Sequence, residues 1–358
     1  MSEYLPQALV EQILLKLPPI TLVRLTLVSK SWQCFIQSDY FISLHLQNSP
    51  SSLLLCISTN TLSAQWSLTN INPFPSPTIT RLPPLFPVAL SSLFLFIQSL
   101  NGVVCLIQKL FLPQQAIILW NPSIRRHLIL QIPPIEDIVA LGFGFDSKNN
   151  DFKLIKLFNP DLQVEIYSLN EGSWRGIDFS IRQELGLVRF SDTRCFVNGY
   201  VHWIAEYSTQ EGRKVLLLKF DVEKEKFGKM KLPRKLVMVP FSRMEVTVIE
   251  GCLSMLLYDG VPPLQGSNGW CDIWMMREYG VAESWIKIGK VHLPDGGYVF
   301  GVSTSSNVFV NWSNWSGIEF SSLHSLDPNT QEVTDIGIPG RAITACEYTG
   351  SLVLLNKT

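Results

Sequence analysis

The segment from residue 5 to residue 46 constrains this chain most, because its apolar residues follow helical spacing within a very short length. One helical face in its first part carries Leu9, Val10, Ile13, Leu14 and Leu17. Pro18-Pro19 ends this helix, since proline lacks an amide donor and clashes with the preceding turn. A second helix is predicted from Thr21 to about Val28, and Ser29 is placed to cap a third that carries Trp32. Three such helices bury only a thin core, so we expect a partner, a metal or a disulfide to complete it.

The cysteines and histidines favour a protein partner over a metal or a disulfide. The seven cysteines are scattered, odd in number and without a Cys-x-x-Cys pair, a pattern typical of free thiols in a reducing compartment. The five histidines show no metal-ligand spacing with one another or with the cysteines. No basic region followed by an apolar run opens the chain, so a secretory leader is not indicated. We predict no metal, no cofactor and a cytoplasmic and/or nuclear location.

Composition points to an ordered chain that binds protein. Hydrophobic residues make up 46% of the 358 residues and charged residues 16%, which favours a large buried core over disorder. The formal net charge of −1 gives no electrostatic reason to expect nucleic acid or a membrane as a partner. The most hydrophobic stretch, residues 82–97, contains three prolines and is too short to span a bilayer.

With these features in view, residues 5–46 resemble an F-box, the module by which substrate receptors dock onto the Skp-type adaptor of cullin-based ubiquitin ligases. The matching positions also include Arg24, the Val28 to Trp32 run, Phe41 and His45-Leu46. Gln7 and Ala8 depart from the acidic residue usual in plant relatives. The resemblance implies that ten residues carry adaptor docking, some by contacting the adaptor and some by holding the three helices together. They are Leu5, Pro6, Leu9, Ile13, Leu14, Leu17, Pro18, Leu22, Val28 and Trp32. The alternative is a small helical bundle buried against the rest of the chain.

The remaining residues indicate an all-β region. Short runs rich in β-branched and aromatic residues alternate with Asn-Gly, Asp-Gly and Asn-Pro turns. Similar units begin at Asn101-Gly102, Asn198-Gly199 and Glu250-Gly251, with a further one ending near Leu355 and an intervening one over 146–174. A spacing of roughly 45 to 55 residues is typical of four-stranded propeller blades. The predicted fold class is therefore mainly β: a three-helix N-terminal domain over 1–47 and a β-propeller-like repeat domain over 48–358.

Particular motifs in this region resemble the plant F-box-associated domain. They are Ile118 to Pro122, Gly142 to Asp146, Val164 to Leu169 with Ser173-Trp174, Val197 to Trp203, and Ile273 to Gly280 with Glu283 to Trp285. The resemblance implies a plant protein whose β-domain is related in shape to kelch domains and binds a client protein. Kelch repeats proper carry a Gly-Gly pair in each blade, whereas this chain has only Gly296-Gly297.

No catalytic constellation is visible in the sequence. The nucleophile elbow, the phosphate-binding glycine loop and the dinucleotide fingerprint are all missing; the Gly142-Phe-Gly-Phe-Asp run lacks the third glycine and the following helix. His202, beside Trp203 on a predicted strand, is interpreted as structural. Asp146, Glu165 and Asp221 fall at strand ends, where turn chemistry explains them.

The tryptophans divide into two sets. A first set recurs at equivalent strand positions and is assigned to packing between repeats: Trp120, Trp174, Trp203, Trp274 and Trp285. Trp270, Trp312 and Trp315 lie instead in Gly, Ser and Asn-rich surroundings. Exposed aromatic residues on loops often anchor protein interfaces, so these three are candidate client-binding residues; the alternative is that their loops fold back over the propeller.

These inferences give a specific functional hypothesis. The chain is expected to be the non-catalytic substrate-recognition subunit of an SCF-type ligase, which joins the Skp-type adaptor, and through it a cullin, to a protein client. Two alternatives stay open: a propeller enzyme with an axial active site, and an F-box scaffold that does not lead to degradation. The sequence does not identify the client or the pathway.

Overall fold

The computed structural model describes residues 6–60, 63–70, 79–83, 94–108, 115–132, 138–158, 162–181, 188–210, 212–260, 269–293, 298–302, 308–312, 322–327, 330–336 and 341–353. Contacts divide the chain into two units, one of Met1–Leu55, Gln65–Ile132 and Glu347–Thr358, the other of Cys56–Ala64 and Pro133–Cys346. No helix among the described residues is both long and apolar enough to cross a membrane.

The first unit begins with four helices rather than three. They are α1 (Gln7–Leu15), α2 (Pro19–Leu25), α3 (Lys30–Ile36) and α4 (Asp39–Asn48). The predicted cap is confirmed, because the Ser29 hydroxyl accepts a hydrogen bond from the Trp32 amide at 3.2 Å. Ser38 caps α4 in the same way by accepting from the Phe41 amide at 3.2 Å. The expected third helix is thus α3, and the second serine cap soon after it begins a fourth helix that was not predicted.

The described strands form six four-stranded sheets. Five are meanders: β4 (Phe94–Leu100), β5 (Val103–Gln108), β6 (Gln115–Asn121) and β7 (Arg126–Ile132); β8 (Ile138–Asp146), β9 (Asp151–Phe158), β10 (Gln163–Ser168) and β11 (Ser173–Ile177); β12 (Val188–Val197), β13 (Tyr200–Thr209), β14 (Gly212–Asp221) and β15 (Lys226–Met230); β16 (Met244–Ile249), β17 (Cys252–Tyr258), β18 (Gly269–Met276) and β19 (Trp285–Leu293); and β20 (Tyr298–Val302), β21 (Val308–Trp312), β22 (Ser322–Leu326) and β23 (Val333–Asp335). The sixth has the order β24-β1-β2-β3, with β1 (Ser51–Asn60), β2 (Ser63–Asn70), β3 (Ile79–Arg81) and β24 (Arg341–Thr349). A short helix, α5 (Arg234–Val237), follows β15.

The mainly β fold with a helical N-terminal part is thus confirmed, but the start of each repeat is corrected. The Asn101-Gly102 and Asn198-Gly199 turns join the first and second strands of a sheet, so each predicted unit began one strand late. All four turn residues have positive φ, a conformation that favours Asn and Gly. The repeat predicted to end near Leu355 is also corrected, because the described residues at its end, 351–353, are not in a strand.

Sheets of the second unit pack through aromatic and aliphatic side chains. Trp203 on β13 is fully buried among residues of β9, β10 and β14, and its indole N–H donates to the Leu141 carbonyl on β8 at 2.9 Å. Gly142 makes room for this indole, since a Cβ there would lie 2.5 Å from a Trp203 ring carbon. The glycine of the Gly-Phe-Gly-Phe-Asp run therefore serves close approach of neighbouring sheets.

Candidate adaptor-docking face

The four helices do not close their core by themselves. Leu14, Leu22, Ile36 and Phe41 are almost completely buried, and they share one apolar cluster with Ile124 and Leu352. Ile124 lies in the turn between β6 and β7, and Leu352 follows β24. Side chains from two distant parts of the first unit thus complete the helical core.

A second set of helical residues is apolar but exposed. Leu9 and Ile13, one turn apart on α1, are 45% and 51% exposed, and Val28 after α2 is 64% exposed. Their neighbour Leu27 is 88% exposed; sequence reasoning did not select it. Single exposed apolar residues are common, but several in one small module indicate an interaction surface. We call Leu9, Ile13, Leu27 and Val28 the docking face.

The structure separates the predicted adaptor residues by burial. Leu14 and Leu22 lie in the core and hold the helices together, whereas Leu9, Ile13 and Val28 are accessible to a partner. Pro6 and Pro18 are exposed residues that immediately precede α1 and α2. Leu17 and Trp32 are half-buried against the core, and Leu5 lies outside the described residues. Whether each of them contacts the adaptor stays a prediction.

His45 joins the end of α1 to α4. It is 2% exposed, and its Nε2 donates to the Leu17 carbonyl at 3.0 Å while the Ser49 hydroxyl lies 3.2 Å from Nδ1. A buried polar group costs little free energy when both of its polar atoms are paired. His45 is therefore a structural residue of the helical module.

Asn121, at the end of β6, ties the segment after β24 to the sheet below the helices. Its amide Nδ2 donates to the Ser351 carbonyl at 3.0 Å and to the Val353 carbonyl at 2.8 Å. Its Oδ1 accepts from the Ser123 amide at 3.0 Å and from the Tyr348 hydroxyl at 3.1 Å. Asn121 is fully buried, so these bonds satisfy an amide that water cannot reach. We call this bond network the Asn121 clasp; it holds Leu352 in the helical core.

Gly102 allows the clasp to close. Its φ is +75°, and a Cβ at this position would lie 2.2 Å from Ser351 Oγ and 2.7 Å from the Thr349 carbonyl. Only glycine fits both the backbone conformation and the close approach. Neither Gly102 nor Asn121 was predicted to support the docking module; in the sequence Gly102 is a turn glycine and Asn121 is part of the Ile118 to Pro122 motif.

The predicted client-binding tryptophans receive uneven support. Trp270 on β18 is 38% exposed, with the Lys290 ammonium 4.3 Å and the His292 ring 4.8 Å from its ring centroid. Trp312 belongs to β21, but its side chain lies outside the described residues, as does all of Trp315. Of the tryptophans assigned to packing, Trp120, Trp203 and Trp285 are buried, while Trp174 and Trp274 are half-buried.

The titratable residues of the second unit are engaged with one another. Burial opposes the ionised Asp146, yet hydrogen bonds from Lys153 and Asn149 hold the pKa of its carboxyl below the usual value. Lys153 also contacts Glu225 at 2.9 Å and donates to the Val222 carbonyl at 3.0 Å, which links β9 to the turn after β14. Among the described residues, no group of three His, Cys, Asp or Glu side chains could hold a metal ion.

His202 is deeply buried on β13. Burial is the main cause that lowers the pKa of its imidazole to about 4. Its Nε2 lies 2.9 Å from the Tyr279 hydroxyl, and the Lys219 ammonium lies 5.7 Å from the Tyr279 ring centroid. A neutral, fully buried imidazole in contact with aromatic rings fits the structural role predicted for it.

Comparison with known proteins decides the family. The model of the F-box domain matches residues 3–44, and that of the F-box associated beta propeller domain matches residues 92–353. The chain is a plant F-box protein. It belongs to the F-box associated beta propeller domain family, and the six four-stranded sheets fit the blade organisation of that domain.

Relatives of this F-box protein come from Arabidopsis thaliana. F-box protein At4g22390 is 24% identical over 81% of this chain and 74% of its own length. F-box/kelch-repeat protein At3g23880 is 26% identical over 79% of this chain and 78% of its own, and F-box protein CPR1 is 25% identical over 81% and 73%. Among solved structures, TolB from Acinetobacter baumannii covers 86% of this chain and 70% of its own at 10% identity and a TM-score of 0.49. The domain order supports, in general, a substrate-recognition role in SCF-type ligases and a non-catalytic subunit.

Proposed function

We propose that this F-box protein docks a Skp-type adaptor through its helical module, residues 1–47, and presents a protein client on its β-domain, residues 48–358, for ubiquitination. The exposure of Leu9, Ile13 and Val28 beside a fully packed core carries the proposal. These exposed side chains are not needed to fill the core of the helical module, so packing does not account for their being apolar. A partner that covered them would gain about 25 cal/mol for each Å² of apolar surface removed from water.

The contribution of the chain to ubiquitination is proximity. A receptor that holds client and adaptor in one complex raises the effective concentration of client lysines near the conjugating enzyme without any bond chemistry of its own. The helical module suits this task because it is fixed to a sheet of its own unit: only Ser49 and Pro50 separate α4 from β1, and Ile124 and Leu352 pack into the helical core.

The test is adaptor binding by the full chain carrying Leu9→Glu and Ile13→Glu. Two carboxylates forced into an apolar contact should weaken adaptor binding at least about 100-fold, since each would be desolvated without a partner. The measurement is calorimetric or optical titration with purified adaptor. Gln7→Glu is the matched control: Gln7 is exposed on the same helix, two residues before Leu9 and therefore on the opposite side, and this variant should bind normally.

Retained binding by the double variant would refute docking through this face. A loss of adaptor binding is informative only if the helices remain folded, so hydrogen exchange of residues 7–48 should be the same in all variants. Client turnover with and without proteasome inhibition then separates a degradative receptor from a non-degradative scaffold. The proposal places the protein in the cytoplasm, the nucleus or both, and needs no cofactor.

A further inference from the structure

A run of exposed cations marks the outer edge of the third sheet. Residues 226–235 read Lys-Phe-Gly-Lys-Met-Lys-Leu-Pro-Arg-Lys, so ten residues hold five of the chain's 29 Lys and Arg and no acidic residue. The five cations are all exposed: Lys226, Lys229, Lys231, Arg234 and Lys235. We call them the cationic ridge. In a chain of net charge −1, such a concentration makes one local region strongly positive.

The fold forces these charges outward. Phe227, Met230, Leu232 and Leu236 are buried between them, and Leu236 anchors α5 at 0% exposure. Along β15 the exposed Lys226 and Lys229 stand next to the buried Phe227 and Met230, and α5 continues with exposed Arg234 and Lys235 before its buried anchor. Because the residues next to them in the sequence fill the core, the side chains of the ridge are exposed to solvent.

The ridge differs from the corresponding outer strands of the second unit. On β11, Arg175 contacts Glu225 and Glu171. On β19, Lys287 pairs with Asp272 at 2.7 Å and Lys290 lies over Trp270, and β23 contains no cation. Among the described residues, by contrast, no acidic side chain forms a salt bridge with Lys226, Lys231, Arg234 or Lys235. These four ridge cations are thus available to a partner.

Protection of a sheet edge accounts for only part of the ridge. Lysines on an edge strand discourage pairing with another sheet, which explains Lys226 and Lys229 on β15. Lys231, Arg234 and Lys235 lie beyond the end of that strand. Met238, directly after α5, is 85% exposed and Val237 is 37% exposed, although an edge-protecting device needs no apolar residue.

We infer that the cationic ridge, with Val237 and Met238, binds an extended acidic segment of a client protein that also offers an apolar side chain; the inference rests on the proposed function for its biological meaning. Charge complementarity selects an acidic partner. An extended polypeptide also suits the end position of β15 in the sheet order β12-β13-β14-β15, because its outer backbone groups can pair with an added strand.

Other anionic partners fit the ridge less well. Single-stranded nucleic acid is usually held by aromatic residues that stack on bases, and Phe227, the one aromatic residue in this run, is 8% exposed. A membrane surface is held by a broad apolar face beside the cations, whereas only Val237 and Met238 are apolar and exposed here. Both partners are therefore outcomes to be tested, not part of the inference.

The experiment uses the full chain, both alone and mixed with the adaptor. Fluorescence anisotropy follows a short labelled peptide of Glu and Asp with a central Leu, beside the same peptide with Gln and Asn. We expect Lys231→Gln, Arg234→Gln and Lys235→Gln together to weaken binding of the acidic peptide about fivefold to tenfold, as three exposed ion pairs would. Met238→Ala should weaken it about twofold, and only when the peptide contains Leu.

Two control variants make the result specific. Lys148→Gln, Arg189→Gln and Arg213→Gln remove the same charge from side chains that are about 70% exposed elsewhere in the second unit, and this triple variant should bind the peptide normally. Lys231→Arg with Lys235→Arg keeps the charge and should also bind normally. An equal loss in both triple variants would overturn the inference, because net charge rather than the ridge would then be responsible.

The same variants are tested with phosphatidylserine vesicles and with polyuridylate. Ridge-dependent binding of either one, without binding of the acidic peptide, would overturn the inference in favour of a membrane or RNA surface. Adaptor affinity is measured in parallel on every variant and should stay constant. If ridge variants bind the adaptor normally but lose the peptide, the effect is confined to the ridge. If the wild-type chain does not bind the adaptor, the proposed function is refuted, but the result with the peptide still holds.

Discussion

The helical module and the third sheet, β12 to β15, expose opposite chemistries. The helices bury a small core with help from Ile124 and Leu352 and leave the apolar docking face exposed. The third sheet packs large residues such as Trp203 and Phe220 against neighbouring strands and exposes cations. A small helical module can thus expose apolar surface for a stably bound partner, while a sheet with a large core can expose charge for a transiently bound partner.

The largest effect is expected from Asn121→Asp, which should unfold the helical module selectively. A carboxylate at this site would face the Ser351 and Val353 carbonyls, and an unpaired buried charge costs about 4 kcal/mol. Hydrogen exchange should show lost protection over residues 7–48 but unchanged protection over residues 188–230. Asn198→Asp, in an exposed turn, is the isosteric control and should have no such effect. Equal loss in both segments would mean that the clasp does not serve the helices in particular.

The next effect separates core from face within the helices. Leu22→Ala should destabilise the module by about 3 kcal/mol, because Leu22 is completely buried and leaves a cavity. Leu9→Ala should cost less than about 0.5 kcal/mol of stability and still weaken adaptor binding. Thermal unfolding and adaptor titration on both variants measure the two quantities. Comparable destabilisation by both substitutions would show that Leu9 packs within the module and is not reserved for a partner.

A smaller effect is expected from pH on the third sheet. The pKa of His202 is lowered to about 4 by burial, so the imidazole is neutral when folded and takes up a proton on unfolding at pH values below about 6.5. Stability should therefore be constant above about pH 6.5 and fall by about 2 kcal/mol by about pH 5. Carboxyls with lowered pKa values, such as Asp146, lose their contribution only at lower pH. Urea unfolding of wild type and His202→Gln measures the slope, which the variant should lack; an unchanged slope would contradict this assignment.

The parts of the fold that rest on local chemistry could be read from the sequence. The spacing of leucines predicted the first helices, and Ser29 predicted the cap of the third. Runs of β-branched residues between turns predicted the strands. The strand phase was wrong because an Asn-Gly turn says where the chain reverses but not which strands it joins. The third helix was predicted from Ser29, whereas the helix over residues 39–48 was not predicted, although Phe41 and His45-Leu46 lie within it.

Long-range features of the site could not be predicted. The Asn121 clasp joins residues about 230 positions apart, and no local pattern shows that a polar residue at the end of β6 meets the segment after β24. The cationic ridge is visible in the sequence as a run of Lys and Arg, but no site was predicted there. Its significance depends on the burial of Phe227 and Leu236 and on the absence, among the described residues, of a salt bridge to Lys231 or Arg234, and both are facts of packing.

The smallest effect tests the contrast itself through salt. Apolar docking depends little on ionic strength, whereas attraction between exposed charges is screened over a Debye length that shrinks from about 10 Å at 0.1 M to about 3 Å at 1 M salt. Between about 0.1 M and 1 M sodium chloride, adaptor affinity should change less than about twofold, while affinity for the acidic peptide should fall about tenfold, or about 1.4 kcal/mol. Parallel titrations on the same preparation measure both. A steep salt dependence of adaptor docking would place Lys16, Arg24 or Lys30, the exposed cations of the helical module, in the adaptor contact, and the two surfaces would then differ in degree and not in kind.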